Sequence, residues 1–460
     1  MDNICCVIMA AGQGTRMKSK HPKVLLKVLG RPMCDWVVGA AREAGAGEVC
    51  LVVGHQAQAV RAHYEGAGLH FADQPEQRGT AHAIMMARDF LRSHGGAHTL
   101  ILSGDCPLLT ARTISAALDG HLRSGSAATL FTACLPDPFG YGRIVKGADG
   151  AVEKIVEQRD ASPEELAICE INAGAYWFET AALLDVLDRI EPKNSQNEYY
   201  LTDAVGLLRA AGRRVSAYTV EDPAEIMGAN TRAQLLELTG LARRRVIDRL
   251  MAEGVEFEDI SGVSVSPDAV IGRDTVVKKG TVIEGACVIG EDCVLGPDAY
   301  IVDSRLGDGV RVNASHILQS SVGSGTTIGP FSQLRPNSHL AQNVKIGNFV
   351  EIKNSTVGER TSVAHLTYVG DTDCGGHVNF GCGTVTVNYD GSAKHRTTIG
   401  DHVFVGCNTN LVAPVTVADN TYIAAGSTIT GDVPEYALAI ARARQINKEN
   451  WVKKQEEKNR

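Results

Sequence analysis

The sequence predicts a chain of mixed α/β class whose two halves are built differently: a Rossmann-like, doubly wound sheet domain, then a parallel β-helix of hexapeptide repeats. Two observations carry this prediction. Within residues 265–433 an aliphatic residue recurs every six positions, a fixed period that is typical of repeat architectures. In the first half, apolar segments of strand length alternate with segments of helix length, which favours a mostly parallel sheet covered by helices.

Composition limits the possible classes of protein. A chain of 460 residues is too long for one ordinary core, so two domains and a linker are expected. The net charge of −8 argues against nucleic acid as the main partner, and acidic substrates would then need local basic pockets. No stretch approaches the ~20 apolar residues of a membrane span, and the N-terminus lacks the basic segment of a secretory signal. We therefore expect a cytoplasmic protein without membrane insertion.

The first candidate site is a glycine loop. A predicted buried strand over residues 4–9 leads into A-A-G-Q-G-T-R-M at residues 10–17. Such a loop leaves backbone N–H groups free to cradle phosphates. It is neither a Walker loop nor a dinucleotide fingerprint, which would need a third glycine where Met17 stands. Arg16 and Lys23 would oppose the charge of a triphosphate and its leaving pyrophosphate; the alternative is a tight strand–helix turn with two solvated basic residues.

The second candidate is an acidic residue at the edge of the predicted sheet. Strands are predicted at 49–54, 99–103, 128–133 and 175–178, and helices at 32–44, 81–91 and 113–123. Ligands of doubly wound sheets bind outside the carboxyl ends of the strands. Asp105 follows the strand at 99–103 and could hold Mg²⁺ together with substrate phosphates, which requires only one or two protein ligands. Taken alone, an Asp in this place caps a helix as often as it binds metal.

A helical segment separates the two halves. Residues 231–253 are rich in Leu, Arg, Ala and Glu with aliphatics at helical spacing, which predicts a linker helix. The predicted domains are therefore residues 1–230, the linker 231–253, and 254–460 with a C-terminal tail. Three hexads make one coil, so the repeats predict about nine coils ~4.8 Å apart. The polar segment 388–398 has no inward aliphatic residue and is expected to loop out.

The hexad register separates inward from outward residues. Aliphatics such as Ile271, Val277 and Ile429 should point inward, with a small residue four places later. Cys287 and Cys293 occupy that small position, so we expect core residues rather than a disulfide. Five-residue steps, as from Ile301 to Leu306, Ile317 to Val322 and Ile352 to Val357, should shorten a corner without losing the inward register.

Large polar residues interrupt this regular pattern. Arg335 and Lys353 are 18 residues apart, one coil, and should stack on one edge, where two cations repel each other unless an anion such as a sugar phosphate lies between them. His365 occupies an outward position, and we expect it on the same side as these cations and Tyr368. A surface histidine is usually only solvated, but in this setting it could accept a proton during a transfer reaction.

These motifs resemble known ones. The loop followed by Pro22-Lys23 resembles the signature of the sugar-phosphate nucleotidyltransferases. With A-H-L-T-Y-V-G-D at residues 364–371, nearly the whole chain resembles the bacterial family of bifunctional N-acetylglucosamine-1-phosphate uridylyltransferases/glucosamine-1-phosphate N-acetyltransferases. The resemblance implies a left-handed β-helix, a homotrimer, Mg²⁺ as cofactor, and acetyl-CoA and UTP as co-substrates.

The resemblance also implies roles for single residues. Nucleotide and sugar contacts in the first half would be Met9, Ala10, Ala11, Gly12, Arg16, Lys23, Gln74, Gly79, Thr80, Gly104, Asp105, Gly142, Glu157, Asn172 and Asn230. Of these, Gln74, Gly79 and Thr80 would read the uracil, Glu157 and Asn172 would contact the sugar, and Asp105 and Asn230 would bind Mg²⁺. Ser103 departs from the tyrosine that is frequent in the family.

In the second half, His365 would be the general base for acetyl transfer. The sugar phosphate would contact Arg335, Lys353, Tyr368, Asn379 and Lys394, and acetyl-CoA would contact Cys382, Asn388, Tyr389, Cys407, Ala425 and Arg442. Cys382 and Cys407 stand where alanine and serine are frequent. The acetyl-CoA site is expected between neighbouring chains, and the oxyanion donor, near Cys382 or Tyr389, stays open.

Two other functions are compatible with parts of the pattern. One is a single-activity nucleotidyltransferase with a structural β-helix, and the other is a scaffold without catalysis. Polar residues such as His365 and Lys353, which an inert repeat does not need, argue against the first. Asp105 after a phosphate loop argues against the second.

Overall fold

A computed structural model describes residues 4–94, 96–148 and 150–459. The outer limits of the predicted domains, residues 1 and 460, lie outside the described residues. The chain forms two compact units, Met1–Arg244 and Arg245–Arg460. They are called here the sheet unit and the β-helix unit.

The sheet unit contains a mostly parallel sheet. Its strands, with a short hairpin of β2 and β3, are Ile4–Met9 (β1), Lys27–Val28 (β2), Arg31–Pro32 (β3), Glu48–Val53 (β4), His70–Asp73 (β5), His98–Ser103 (β6), Ala128–Cys134 (β7), Arg143–Lys146 (β8), Val152–Val156 (β9), Glu170–Glu179 (β10) and Val215–Thr219 (β11). The strand order is β11-β7-β10-β6-β1-β4-β5, with β8 paired to β10 and β9 paired to β8. Only β10 runs antiparallel to its neighbours β6 and β7 in that row.

Helices cover this sheet. They are Met33–Glu43 (α1), Ala57–His63 (α2), Thr80–Met86 (α3), Arg88–His94 (α4), Ala111–Ser124 (α5), Pro163–Leu166 (α6), Thr180–Leu187 (α7) and Asp203–Ala210 (α8), with 3₁₀ turns at Thr15–Met17, Lys23–Leu25 and Pro223–Ile226. Central strands such as β1 and β4 are almost wholly apolar and buried because both faces of the sheet are packed. The doubly wound α/β prediction is confirmed. The single helix predicted at 81–91 is wrong, because the Ala87 N–H bonds the Ile84 carbonyl three residues back and tightens the turn between α3 and α4.

A long helix, Arg232–Ala252 (α9), is observed where the linker helix was predicted. The division between the two compact units falls inside it, after Arg244. The exact limits of the functional domains stay a prediction.

The β-helix unit consists of coils with three faces. The first face contains Glu256–Phe257, Val276–Val277, Val294–Leu295, Arg311–Val312, Thr327–Ile328, Asn379–Phe380, Phe404–Val405, Tyr422–Ile423 and Leu438–Ala439. The second contains Ser264–Val265, Val282–Glu284, Tyr300–Val302, His316–Leu318, Gln333–Leu334, Val385–Val387, Asn410–Val412 and Thr428–Ile429. The third contains Val270–Ile271, Val288–Ile289, Arg305–Leu306, Ser321–Val322, His339–Leu340, Thr356–Val357, Thr372–Cys374, Thr397–Ile399 and Val415–Val417. Two long strands, Lys345–Lys353 and Ser362–Gly370, run across the first two faces, and each strand is parallel to the strand one coil away.

The hexad register is confirmed by burial. Inward aliphatics such as Ile271, Val277 and Ile429 are almost fully buried. The small residues beside them are buried too, and their hydroxyls link coils: the Thr275 hydroxyl donates to the Gly290 carbonyl over 2.9 Å. Because the Thr275 hydroxyl is satisfied, this polar atom does not penalise the core.

The two cysteines of the repeat and the shortened corners also follow the predictions. Cys287 and Cys293 are free, buried thiols whose pKa burial raises. Leu306, Val322 and Val357, the ends of the five-residue steps, are buried as expected.

The interruption at 388–398 is shorter than predicted. The chain leaves the coil after Val387 and returns at Thr397, which already pairs with Thr372 and is buried. Thr397 resumes the ladder because its backbone can bond the neighbouring coil although its side chain is polar. Tyr389 and Lys394 pair across the loop.

The C-terminal tail forms an exposed helix, Trp451–Lys458 (α10). In the described part of the chain, no helix combines the length and apolar character needed to cross a membrane.

Candidate functional sites

A cavity of about 260 Å³ opens at the carboxyl ends of the sheet strands. Its wall contains nine of the predicted nucleotide-site residues, Met9, Ala10, Ala11, Gly12, Lys23, Gln74, Gly79, Thr80 and Asp105. Five further residues complete the wall: Ser103, and four for which the sequence predicts no role, Val24, Gln77, Ala83 and Glu198. The Gln77 amide hydrogen-bonds Gln13 in the glycine loop, but no local motif distinguishes it.

Lys23, Asp105 and Asn230 meet at one edge of this cavity. The Lys23 ammonium forms a short ion pair with Asp105 and donates to Asn230 Oδ1 over 2.7 Å. The Ala229 N–H bonds the Asp105 carbonyl and so places Asn230 beside the carboxylate. Burial alone would raise the pKa of Asp105, but Lys23 and the Ser103 hydroxyl outweigh it and lower this pKa, so the group is a carboxylate.

This donor set fits a magnesium ion. Two oxygen donors of different chain segments converge on one positive charge, and Mg²⁺ prefers such ligands with the remainder supplied by phosphates and water. Among the described residues no group of three or more His, Cys, Asp or Glu side chains could hold a metal. A metal at this edge would therefore share its coordination with a bound substrate.

Gly14 in the loop and Gly79 before α3 are required by close contacts and by their positive φ. Gly14 has φ +61°, and a Cβ there would lie 2.7 Å from the Lys23 Cβ. Gly79 has φ +109°, and its missing Cβ leaves room for the Tyr199 backbone. Arg16 is exposed and does not line the cavity.

Two predicted residues beside the cavity have structural contacts. Gln74 is buried, and its amide donates to the Gly79 carbonyl over 3.1 Å, which ties the strand end to the start of α3. The Gly104 N–H donates to the Met9 carbonyl over 2.9 Å, which joins the ends of β1 and β6.

Gly142, Glu157 and Asn172 form a second cluster, outside the cavity wall. The Asn172 N–H bonds the Gly142 carbonyl over 2.9 Å, and a Cβ on Gly142 would lie 3.4 Å from Glu157 Oε1. Burial raises the pKa of Glu157, and the charge of Asp203 adds to this rise. A weak hydrogen bond from the Thr202 hydroxyl acts in the opposite direction.

On the β-helix, cations and carboxylates form one network. Arg335 and Lys353 follow paired residues of adjacent coils, as predicted. Each has a carboxylate partner: Glu351 lies 2.8 Å from Arg335, and Asp371 lies 3.7 Å from Lys353. The prediction that these two cations need an anion between them is therefore wrong, because Glu351 and Asp371 compensate their charge.

Lys394 shares the carboxylate of Asp371 with Lys353. Its pKa is lowered by close contact with Lys353, first through hydrogen bonding between the two amines and then through charge. Asp371 is 5% exposed and accepts from Asn354 over 2.5 Å and from Asn388, whose amide also reaches the Tyr368 hydroxyl over 3.3 Å. Burial would raise the pKa of Asp371, but these amides and the lysines lower it. Two lysines around one carboxylate leave a net positive patch that can bind a phosphate.

His365 lies directly before the corner that leads from the first face to the second, whereas Arg335 and Lys353 lie at the ends of strands of the second face. Strand Ser362–Gly370 turns a corner at Leu366, where φ is +45°. Before the corner, Ser362 pairs with Asn379 on the first face; after it, Tyr368 pairs with Val385 on the second. Among the described residues no hydrogen bond or ion pair joins His365 to Arg335, Lys353 or Lys394, and the corner turns the backbone between them. Asn379 lies on the first face, on the same side of the corner at Leu366 as His365.

The predicted acetyl-CoA residues are divided in the same way. Cys382, Cys407 and Ala425 occupy one position in successive coils, and Arg442 approaches Gly426 beside them. His365 continues this column one coil earlier. Asn388 and Tyr389 instead lie with the cation network, Asn388 buried and Tyr389 exposed.

Between the two groups runs an exposed apolar row that sequence analysis did not identify. Phe331, Phe349 and Leu366 stand on corners of three adjacent coils and are 60%, 58% and 60% exposed. The two phenyl rings stack at 5.5 Å, and the row lines a groove of about 560 Å³ that also contains Tyr368. The sequence does contain a signal for this row, namely large apolar residues at outward corner positions of the repeat.

Comparison with known proteins gives the class. The family described as MobA-like NTP transferase domain matches residues 6–253, and the family of bacterial transferase hexapeptides (six repeats) matches residues 268–303 and 396–431. Curated relatives named bifunctional protein GlmU cover the chain almost completely. The one from Acetivibrio thermocellus is 49% identical over 98% of both chains, that from Caldanaerobacter subterraneus subsp. tengcongensis 50% over the full length of both, and one from Clostridium botulinum 47% over 98% of both.

The phosphate-type cavity and the repeat thus define a transferase made of a nucleotidyltransferase domain followed by a hexapeptide-repeat domain. The chain belongs to the family of the bifunctional protein GlmU. It is an enzyme that acts on small molecules, with a nucleotide among its substrates.

Proposed function

We propose that the β-helix unit transfers the acetyl group of acetyl-CoA to glucosamine 1-phosphate and that the sheet unit transfers UMP from UTP to the resulting N-acetylglucosamine 1-phosphate. The observation that carries the proposal is that each unit has its own charged cluster: Lys23, Asp105 and Asn230 at the edge of the cavity in the sheet unit, and Lys353 with Lys394 on the β-helix unit. The functional limits we propose are residues 1–230 and 254–460, joined by the helix at 231–253. A cytoplasmic location fits these substrates.

In the sheet unit the phosphate oxygen of the sugar attacks the α-phosphorus of UTP, and pyrophosphate leaves. Backbone N–H groups of residues 10–17, with Arg16 and Lys23, hold the triphosphate, and Gln74, Gly79 and Thr80 hold the base. Glu157 and Asn172 orient the sugar, while Met9, Ala10, Ala11, Gly12, Gly104 and Gly142 let substrate approach the backbone. Asp105 and Asn230 would hold Mg²⁺, which when bound neutralises the phosphates.

In the β-helix unit the sugar amine attacks the thioester carbon, the imidazole of His365 accepts the amine proton, and the thiol of coenzyme A leaves. Arg335, Lys353 and Lys394 hold the phosphate, with Tyr368 and Asn379 on the sugar. Acetyl-CoA lies along the column of Cys382, Cys407, Ala425 and Arg442, with Asn388 and Tyr389 at its edge. Proton acceptance of this type contributes ~10²–10⁴ in rate.

One chain does not bring His365 to the cations, so we propose that two copies complete each acetyl-transfer site in a homotrimer. The exposed row of Phe331, Phe349 and Leu366 lies between the two half-sites and would be covered by the neighbouring copy. A row of this exposure is unusual for an uncovered surface.

Subunit mixing tests this proposal. His365→Ala and Lys353→Ala, each alone, should be impaired in free-thiol release at low glucosamine 1-phosphate. Co-expressed as mixed trimers, they should recover to about one quarter of the wild-type rate, since a random pairing joins an intact histidine to an intact lysine at about one site in four. No recovery would place both residues in one chain and overturn the shared site.

A coupled assay separates the two-activity function from its alternatives. Acetyl-CoA with glucosamine 1-phosphate should release thiol, and addition of UTP should then release pyrophosphate. Pyrophosphate release from N-acetylglucosamine 1-phosphate without any thiol release would support a single-activity nucleotidyltransferase with a structural β-helix.

A further inference from the structure

Two cysteines lie side by side on the outer surface of the β-helix. In the two strands that precede them, Phe380 pairs with Val405. Cys382 and Cys407 each follow two residues later, so they occupy the same position in adjacent coils. The Asn408 N–H donates to the Cys382 carbonyl over 2.7 Å, which continues this register beyond the strands. Both thiols are free; Cys382 is half-buried and Cys407 is exposed.

This register brings the two residues close to disulfide geometry. Neighbouring strands are ~4.8 Å apart, inside the range of about 4.4–6.8 Å between the Cα atoms of a disulfide. The Cβ atoms must approach to about 3.8 Å, a movement of ~1 Å. Both cysteines lie on two-residue corner turns, and Gly383, with φ +76°, follows the first of them. These turns carry no inward aliphatic residue, so the approach need not disturb the core.

The other cysteines of the chain do not share this arrangement. Burial raises the pKa of several thiols, that of Cys374 to about 12, and a thiol that is not ionised is a poor nucleophile. Cys134 and Cys169 are both exposed. In their antiparallel pair of strands Cys134 lies opposite Glu170, so Cys169 is one residue away from the position opposite Cys134. Because side chains alternate along a strand, these two thiols point to opposite faces.

We propose that Cys382 and Cys407 form a dithiol modification site that reacts with low-molecular-weight disulfides, of which coenzyme A disulfide is the test reagent. The exposed Cys407 sulfur gives up its proton and attacks one sulfur of the reagent, whose S–S bond breaks and releases one thiol. The Cys382 sulfur then attacks the Cys407 sulfur, and a second thiol leaves. The protein loses two electrons and two protons, which the reagent gains as two thiols.

The consequence for catalysis rests on the proposed function. Cys382 neighbours His365 in the column that we assign to acetyl-CoA, so drawing the coils together would displace the thioester from the imidazole. A misplacement of ~1 Å can cost ~100-fold in rate. The column belongs to the β-helix unit, so the pyrophosphate release that we assign to the sheet unit should not change.

The test uses the full-length protein incubated with coenzyme A disulfide. Peptide mass spectrometry should show a Cys382–Cys407 cross-link, two hydrogens lighter than the free peptides and reversible by dithiothreitol. Acetyl transfer, compared with the same sample after reduction, should fall by about 10-fold or more. Pyrophosphate release should be unchanged in both samples.

Variants separate this site from other thiol chemistry. The double variant Cys134→Ser/Cys169→Ser should keep both the cross-link and the loss of acetyl transfer. Cys407→Ala should form no cross-link, and Cys382→Ala should stop at a mixed disulfide between Cys407 and coenzyme A; each is compared with its own reduced rate. A wild-type protein that stays unmodified, that stops at the mixed disulfide, or that cross-links without losing acetyl transfer overturns the proposal. A cross-link in a protein that shows no acetyl transfer even when reduced would support the dithiol site and overturn the proposed function instead.

Discussion

The two candidate sites are assembled in opposite ways. In the sheet unit, Lys23 contacts Asp105 and Asn230, which lie 82 and 207 positions away along the chain. In the β-helix unit, His365 and Tyr368 are only three positions apart, but the corner at Leu366 lies between them. Distance in sequence therefore predicts neither contact nor separation unless the architecture is known.

The physical reason lies in the two folds. A doubly wound parallel sheet brings the carboxyl ends of several strands to one edge, so distant segments meet in a single cavity. In a repeat, each coil contacts only the coils beside it, and residues on different faces stay apart. The candidate residues of the sheet unit therefore meet within one chain, whereas those of the β-helix unit are divided by a corner.

The largest effect should come from His365→Ala. We expect acetyl transfer to fall by ~10²–10⁴, because the amine proton loses its acceptor. Pyrophosphate release from the same protein should be unchanged. The matched control is His377→Ala, which removes another exposed histidine of the β-helix, one that stacks on His402. Equal losses in both variants would remove His365 from the reaction.

A comparable loss restricted to the other unit should follow Asp105→Asn. The substitution keeps the shape but removes the charge that faces Lys23, and uridylyl transfer should fall by ~10²–10³. The Mg²⁺ concentration for half-maximal rate should rise, while acetyl transfer stays constant. Asp119→Asn, at an exposed position of α5, serves as control. An unchanged Mg²⁺ dependence would contradict the metal role.

Acid should destabilise the sheet unit through His121. This residue is 1% exposed and bonded to Thr129 and His98, and burial, with the charge of His98, lowers its pKa to about 4. The unfolded state then binds more protons between pH 4 and 6.5, so stability is complete above pH 6.5 and declines as pH falls to 4. The expected loss is ~3 kcal/mol.

Urea unfolding followed by tryptophan fluorescence measures this effect, since Trp177 is buried in the sheet unit. His121→Gln should remove most of the decline between pH 6.5 and 4. The same slope in both proteins would assign the acid sensitivity to other groups.

The smallest effect should come from Lys353→Ala. Loss of one charge-assisted contact to the sugar phosphate, worth ~1.5–3 kcal/mol, should raise KM for glucosamine 1-phosphate by ~10- to 100-fold with little change in kcat. Lys345→Ala, at an exposed position of the first face, should change neither constant. A drop in kcat without a change in KM would show that Lys353 acts on the reacting atoms instead.

Much of the fold was readable in the sequence because local physics determines it. The six-residue period buries Ile271, Val277 and Ile429 in any register that forms coils. The glycine loop and Asp105 each come just after a strand, and both line the cavity. Nine of the predicted nucleotide and sugar contacts therefore lie in the wall of one cavity. Glu198 and Val24 were missed because they reach the cavity only through packing.

By itself, the sequence determined which segments become strands, coils and phosphate loop, since each depends on neighbours a few positions away. Only the tertiary structure decided that Asn230 meets Asp105, that Glu351 compensates Arg335, and that the corner at Leu366 separates His365 from the cations. Contacts of this kind depend on where whole elements pack and where the backbone turns, which no short stretch of residues encodes.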